Sequence, residues 1–181
     1  MSHKTSDLNK NPKTNVNITI AIEVYKQASD LPDPYKQLLD DAKEATHSAY
    51  APYSKFFVGS AILLEDNTTV RGSNQENAAY PSGICAERTA IYYTGAQYPH
   101  LAIEAIAVVA RRESGDYLPA APCGACRQAM LEYEEKQSKP IKIVLQGEGD
   151  KVYVLDSVSD LLPLKFGKDN LEESNNEASG N

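Results

Sequence analysis

The sequence predicts an α/β fold: a three-layer α-β-α sandwich around one mixed sheet of about five strands, with an extra strand near the N-terminus. Three observations carry this. Segments of period 3.6 and period two follow one another as helix, paired strands, helix, strand, helix and paired strands. The run 101–110 is nearly all apolar and rich in β-branched residues, as in a strand covered on both faces. With 181 residues and 41% apolar content, the chain suits one domain with polar excess at its ends.

Taken in order, residues up to about 15 are polar and without period, so disorder is expected there. Over 17–25, Ile18, Ile20, Ile22 and Val24 alternate, which predicts a strand whose apolar face is buried on the sheet edge or against another subunit. Residues 1–33 thus read as an N-terminal extension and 34–171 as the main domain. Asp33 as N-cap, followed by Pro34, opens a helix of about four turns with Leu38, Ala42, Ala45 and Ala49 on one face. Pro52 stops it. Strands 56–65 and 68–73 form a hairpin around Asp66-Asn67. After a loop at 80–83, a helix runs from Cys85 to about 94, with Gly95 as its stop. Strand 101–110, a loop over 116–121 and a helix over 123–136 follow, the last offering Met130, Leu131 and Tyr133 to the core. Strands 141–146 and 152–155 flank a Gly-Glu-Gly-Asp turn. A short helix from Ser157 ends at Leu161-Leu162-Pro163, and the tail 172–181 is polar and expected to be disordered.

The chemistry lies in two short stretches, Cys85-Ala86-Glu87-Arg88 and Pro122-Cys123-Gly124-Ala125-Cys126-Arg127, which hold all three cysteines. A Cys-x-x-Cys alone could be a redox pair, half of a zinc ribbon or two buried small hydrophobes. A redox pair leaves Cys85 unexplained. A closed structural zinc site needs a fourth ligand, and His3, His47 and His100 are not at ligand spacing. Three thiolates with an open fourth position describe a catalytic zinc carrying water, with Glu87 as the group that moves protons there. Both stretches fall at helix starts, where the dipole favours thiolate. If Arg88 and Arg127 reach the sulfurs they offset the negative charge of three thiolates on Zn²⁺; the alternative for each is a surface arginine.

Net charge is −7, with no basic cluster, which argues against a nucleic-acid polymer as partner. An odd cysteine count argues against a disulfide framework and fits a reducing compartment. Residues 1–17 lack a signal-peptide core and the longest apolar run, 105–110, cannot span a bilayer, so no membrane partner and a cytoplasmic location are expected.

These stretches, with Pro52-Tyr53-Ser54-Lys55-Phe56-Phe57-Val58-Gly59, Asn74-Gln75-Glu76-Asn77-Ala78 and Leu161-Leu162-Pro163 with Phe166-Gly167, resemble the small homotetrameric zinc-dependent cytidine deaminases over roughly 34–171. The resemblance implies hydrolytic deamination of cytidine and deoxycytidine in pyrimidine salvage. One Zn²⁺ per chain would sit on Cys85, Cys123 and Cys126, with Glu87 shuttling protons to the ring nitrogen and the leaving ammonia. It further implies the Ala86 N–H on the pyrimidine O2, Asn74 and Glu76 on the ribose, and Phe56 against the base. Tyr53, Ala78, Tyr80 and Phe166 would complete a neighbouring subunit's site in a tetramer. From the residues alone, Phe56 could be sheet core and Glu76 a turn cap. Rival readings are a deaminase of a nucleoside-like antibiotic such as blasticidin S, a polynucleotide deaminase, for which a basic strand-binding track is missing, and an inactive zinc-binding module, against which the intact Glu87 speaks.

Overall fold

In the computed structural model, which describes residues 14–171, one mixed sheet joins all the strands. They are β1 (Glu23–Tyr25), β2 (Phe56–Leu64), β3 (Thr69–Ser73), β4 (Ile103–Arg112), β5 (Tyr117–Leu118), β6 (Lys142–Gln146) and β7 (Val152–Leu155). Their spatial order is β1-β7-β6-β4-β2-β3, with β5 on β4. Only β4 and β6 run parallel. Three helices flank the sheet: α1 (Asp33–Ala45), α2 (Ala86–Gln97) and α3 (Gly124–Gln137). The tail 172–181, and the expected N-terminal disorder except at residues 14 and 15, lie outside the described residues.

The alternation of β4 sorts its neighbours into two cores. Ile106 and Val108 join Ile91 of α2 and Met130 and Leu131 of α3; Ala105, Ala107 and Val109 join Leu38, Leu39 and Ala42 of α1. These are the three expected layers.

Four details differ from the sequence reading. The N-terminal strand is three residues long, not nine. Glu23, Val24 and Tyr25 pair with Val154, Tyr153 and Val152, and β7 extends only one residue further, to Leu155, so residues before Ile22 have no strand opposite them. Ile18, Ile20, Ile22 and Val24 are exposed on the single chain, so the sheet edge does not bury that face. The N-cap of α1 is Pro32, one residue before Asp33, and the helix ends at Ala45 in a 3₁₀ turn over Thr46–Ser48. There the Thr46 and Ser48 hydroxyls donate to the carbonyls of Lys43 and Ala45 and tighten the last turn. Gly95 does not stop α2, which continues to Gln97; a Cβ there would lie 2.4 Å from the Tyr133 hydroxyl, so the glycine admits a ring of α3. Finally, the stretch read as loop over 116–121 contains β5. Since β2 covers the other edge of β4, β5 continues the edge that β6 occupies further back.

The position of α2 is fixed by Gly72 in β3. A Cβ at Gly72 would sit 2.6 Å from the Ala90 nitrogen and 2.7 Å from the Ala86 carbonyl, both rigid helix backbone. Gly72→Ala is therefore expected to destabilise the protein by about 1–3 kcal/mol, as overpacking does. Urea unfolding checks this, and an unchanged midpoint would show that α2 is free to move away.

Candidate active site

Two helix starts converge at one end of the sheet. Cys85 is the N-cap of α2 and Cys123 the N-cap of α3, each with extended backbone and no side-chain capping bond. Ordinary N-caps spend a side-chain oxygen on the helix N–H groups; these two residues keep their sulfurs for one another. Cys126 follows in the first turn of α3, fully buried. The three Sγ atoms lie within 4.8 Å of one another, with Cys123 and Cys126 3.5 Å apart. Tetrahedral coordination with metal–sulfur bonds of ~2.3 Å needs sulfurs about 3.8 Å apart. The donor set therefore fits a thiophilic divalent cation with three protein ligands.

The electrostatics point the same way. A hydrogen bond from Cys126, with help from Arg88, lowers the Cys85 thiol to about 5. Its donation to Cys85, burial and the Glu87 carboxylate together push the Cys126 thiol up. Three thiols this close cannot all ionise without a cation among them. The Arg88 Nη2 lies 3.6 Å from the Cys85 Sγ, so this arginine does reach a sulfur. Arg127 does not: its Nε donates to the Pro122 carbonyl at 2.8 Å and its Nη1 to the Leu161 carbonyl at 3.1 Å. It is neither a sulfur partner nor a free surface arginine.

Glu87, in the first turn of α2, is only 5% exposed. Burial raises its pKa above the ordinary carboxylate range, and the neighbouring Cys85 thiolate adds to the rise. A buried carboxyl whose pKa is raised, beside a cluster of thiols, suits general acid–base work.

Above these groups opens a cavity of about 790 Å³, within the usual range for small-ligand sites. Phe56, Val58 and Val108 give it apolar walls, while Asn74, Glu76 and Glu87 give it polar ones. Asn74 is tied to β2, accepting from the Val58 N–H at 2.8 Å and donating to the Phe56 carbonyl at 3.0 Å. One amide N–H and one lone pair remain. Glu76 Oε2 accepts from the Tyr53 and Ser54 N–H groups at 3.0 and 3.2 Å, and Oε1 accepts from the Ser54 hydroxyl. The hydroxyl bond and then the two N–H bonds hold Glu76 below the usual range, so it stays ionised.

The remaining candidates divide. Ala86 is fully buried with its N–H at the start of α2, where no intrahelical acceptor exists. Tyr53 and Tyr80 border this chain's own cavity, their rings edge to face with centroids 6.3 Å apart. Ala78 and Phe166 do not line it, and both are exposed. Sequence reasoning passed over Ser54, Ala120 and Ala121 as lining residues. Ser54 sits within a quoted motif, but only the fold reveals its bond to Glu76.

A model of the cytidine and deoxycytidylate deaminase zinc-binding region matches residues 32–139. The chain is 38% identical over 138 residues to a cytidine deaminase of Halalkalibacterium halodurans, covering 76% of this chain and 98% of that protein. It is 40% identical over 137 residues to a cytidine deaminase of Sporosarcina psychrophila, covering 75% and 93%. In structure it is similar to a cytidine deaminase from Burkholderia pseudomallei, with 41% identity and a TM-score of 0.61 over 72% of this chain and 97% of that one.

Proposed function

The chain belongs to the cytidine deaminase family, and from that premise we propose that it hydrolyses cytidine and deoxycytidine to uridine and deoxyuridine, releasing ammonia. The observation that carries the reading is Glu87, a buried carboxyl with raised pKa, beside three clustered thiols at a cavity with apolar walls.

The resident group is Zn²⁺, one per chain, held by Cys85, Cys123 and Cys126. When bound it lowers the pKa of the water it carries to ~7. The chain's own residues supply the rest. Phe56, Val58 and Val108 take the flat pyrimidine and exclude water from its faces. The free capacity of Asn74 and Glu76 is directed to the sugar hydroxyls, and the Ala86 N–H to the pyrimidine O2. Glu87 takes a proton from the attacking water and passes it to ring N3, then takes the second proton from the new C4 hydroxyl and delivers it to the departing amine. Water oxygen enters at C4 and nitrogen leaves as ammonia, so one carboxyl serves each transfer in turn. Among the charged groups lining the cavity are Glu76 and Glu87, and Arg88, which already serves Cys85. This balance suits a neutral nucleoside better than a 5′-phosphate, which seeks cationic donors.

We assign the enzyme to the cytoplasm and to pyrimidine salvage, in keeping with free thiols used as ligands. Among the described residues, no helix is long and apolar enough to cross a membrane. We also assign it a homotetramer, in which Tyr53 and Tyr80, at the rim of their own cavity, and Ala78 and Phe166, outside it, serve a neighbour's site. In support, Tyr92, Tyr93, Leu164 and Phe166 are large apolar side chains exposed on the single chain.

Three tests follow from this reading. Elemental analysis of the purified protein is expected to give one zinc per chain; a zinc-free, active protein contradicts the assignment. Glu87→Gln is expected to lower turnover of cytidine, followed by its ultraviolet shift to uridine, by at least ~10²–10⁴-fold with zinc and fold retained. A variant keeping a tenth of the activity removes Glu87 from the mechanism. Co-refolding Glu87→Gln with Phe166→Ala is expected to recover cytidine affinity in the mixed oligomers, because a neighbour's intact Phe166 meets an intact Glu87. Mixed oligomers showing only Phe166→Ala kinetics would place Phe166 within its own chain.

A further inference from the structure

Glu134, in α3, is a buried carboxylate, 7% exposed, that the reaction does not use. Its Oε2 accepts from the N–H groups of Ile141 at 2.9 Å and Val158 at 2.8 Å. Its Oε1 accepts from the Ser157 hydroxyl at 2.7 Å, and from the Ser159 N–H and hydroxyl at 3.1 and 2.8 Å. Burial alone would raise its pKa, but these bonds outweigh it and keep the group ionised. A buried charge is often no more stabilising than a well-packed apolar residue. What the four donors from Ser157, Val158 and Ser159 do supply is a fixed position for the 3₁₀ turn Val158–Leu161, anchored beside the Ile141 N–H.

That turn has a second attachment. Its Leu161 carbonyl accepts from Arg127, whose Nε holds the carbonyl of Pro122, the residue before Cys123. Arg127 and Glu134 are seven residues apart on α3, two turns along one face. The turn therefore bridges them. Of the three thiol residues, Cys85 has Arg88 and Cys126 is enclosed within the core, whereas Cys123 is exposed and starts the helix. Cys123 depends most on the peptide before it.

We propose that Glu134 is a positioning residue for the metal site, acting through the Val158–Leu161 turn and Arg127 on the Pro122 carbonyl, and so on Cys123. The inference rests on the three thiols being the zinc site.

The test uses the full-length, zinc-loaded protein and the rate of zinc release to a chromogenic chelator, well below every variant's melting temperature. Glu134→Ala is expected to release zinc ~10-fold faster or more, the scale of groups that orient metal ligands. Glu134→Gln is expected to restore slow release, since its amide oxygen can accept from the two N–H groups while its NH₂ donates to the serine hydroxyls. Arg127→Ala is expected to accelerate release, and the double variant Glu134→Ala/Arg127→Ala to be no faster than Arg127→Ala alone. Glu134→Ala with a lowered melting temperature but wild-type release overturns the proposal, as do multiplying effects in the double variant. Where Glu134→Ala does not fold, Glu134→Asp, one methylene short, is read by the same criteria. Wild-type protein that holds no zinc overturns the metal reading itself, before any variant is compared.

Discussion

The structure depends on bringing two helix starts to one point. β3 and β4 are each antiparallel to β2, so they run in the same direction and end on the same side of the sheet. The helices that follow, α2 and α3, pack on the same face, as their shared core shows. Both therefore begin above those strand ends, and Cys85 and Cys123 stand together although 38 residues separate them in number. The first residues of β2 reach the same end, which brings Phe56 and Val58 into the cavity, while Asn74 and Glu76 follow directly from β3. A site at the carboxyl ends of strands is a general habit of open α/β sheets. Here the antiparallel hairpin makes it possible without a third parallel strand.

This arrangement concentrates unfavourable features and then offsets them locally. Both helices that carry the thiols lack side-chain N-caps, an omission worth about 0.5–2 kcal/mol each. Glu87 is buried beside a thiolate. The Arg88 Nε is buried without a protein partner. Against these, the polar frame around the cavity is well bonded: Asn74 laces β2, and Glu76 holds the 53–54 backbone. The site's framework is rigid while its reactive groups keep unspent capacity, which is what pre-organised catalysis asks for.

Much of this was legible in the chain because the chemistry constrains residue type. Three cysteines at ligand spacing, and a glutamate two residues after the first, leave few other uses, and both stretches carry helix-start signals. The layers were legible from the alternation and apolar run of β4. What was not legible depends on partners distant in sequence. The alternation of Ile18 to Val24 is a strand pattern, but the length of β7 decides how much of it can pair. Gly95 looks like a helix stop until Tyr133 is seen against it. Arg127 sits beside Cys126 in sequence, yet its fork is claimed by carbonyls at 122 and 161. Glu134 reads as one acid among several on a polar helix; only the return of the chain at 157–159 makes it a buried hub.

The two faces of the sheet divide the labour, and the sequence of β4 shows how. Toward α1 it presents Ala105, Ala107 and Val109, and β2 adds Ala61 and Gly59, where a Cβ would overlap the Ala42 carbonyl, so α1 packs close to these strands. Toward α2 and α3 it presents Ile106 and Val108, opposite Ile62, Ile91 and Met130. The small-residue face makes a stiff support with little room for adjustment, since close-packed interiors tolerate few voids or additions. The large-residue face sets the spacing of the helices that carry the thiols and Glu87, and Val108 belongs both to that core and to the cavity wall. A change of volume on the α1 side thus acts on the stability of the whole sheet, whereas one on the α2 and α3 side also shifts helix starts relative to one another. The three clustered thiols tolerate such shifts least, because a fraction of an ångström separates a sulfur triangle that fits a metal from a loose one.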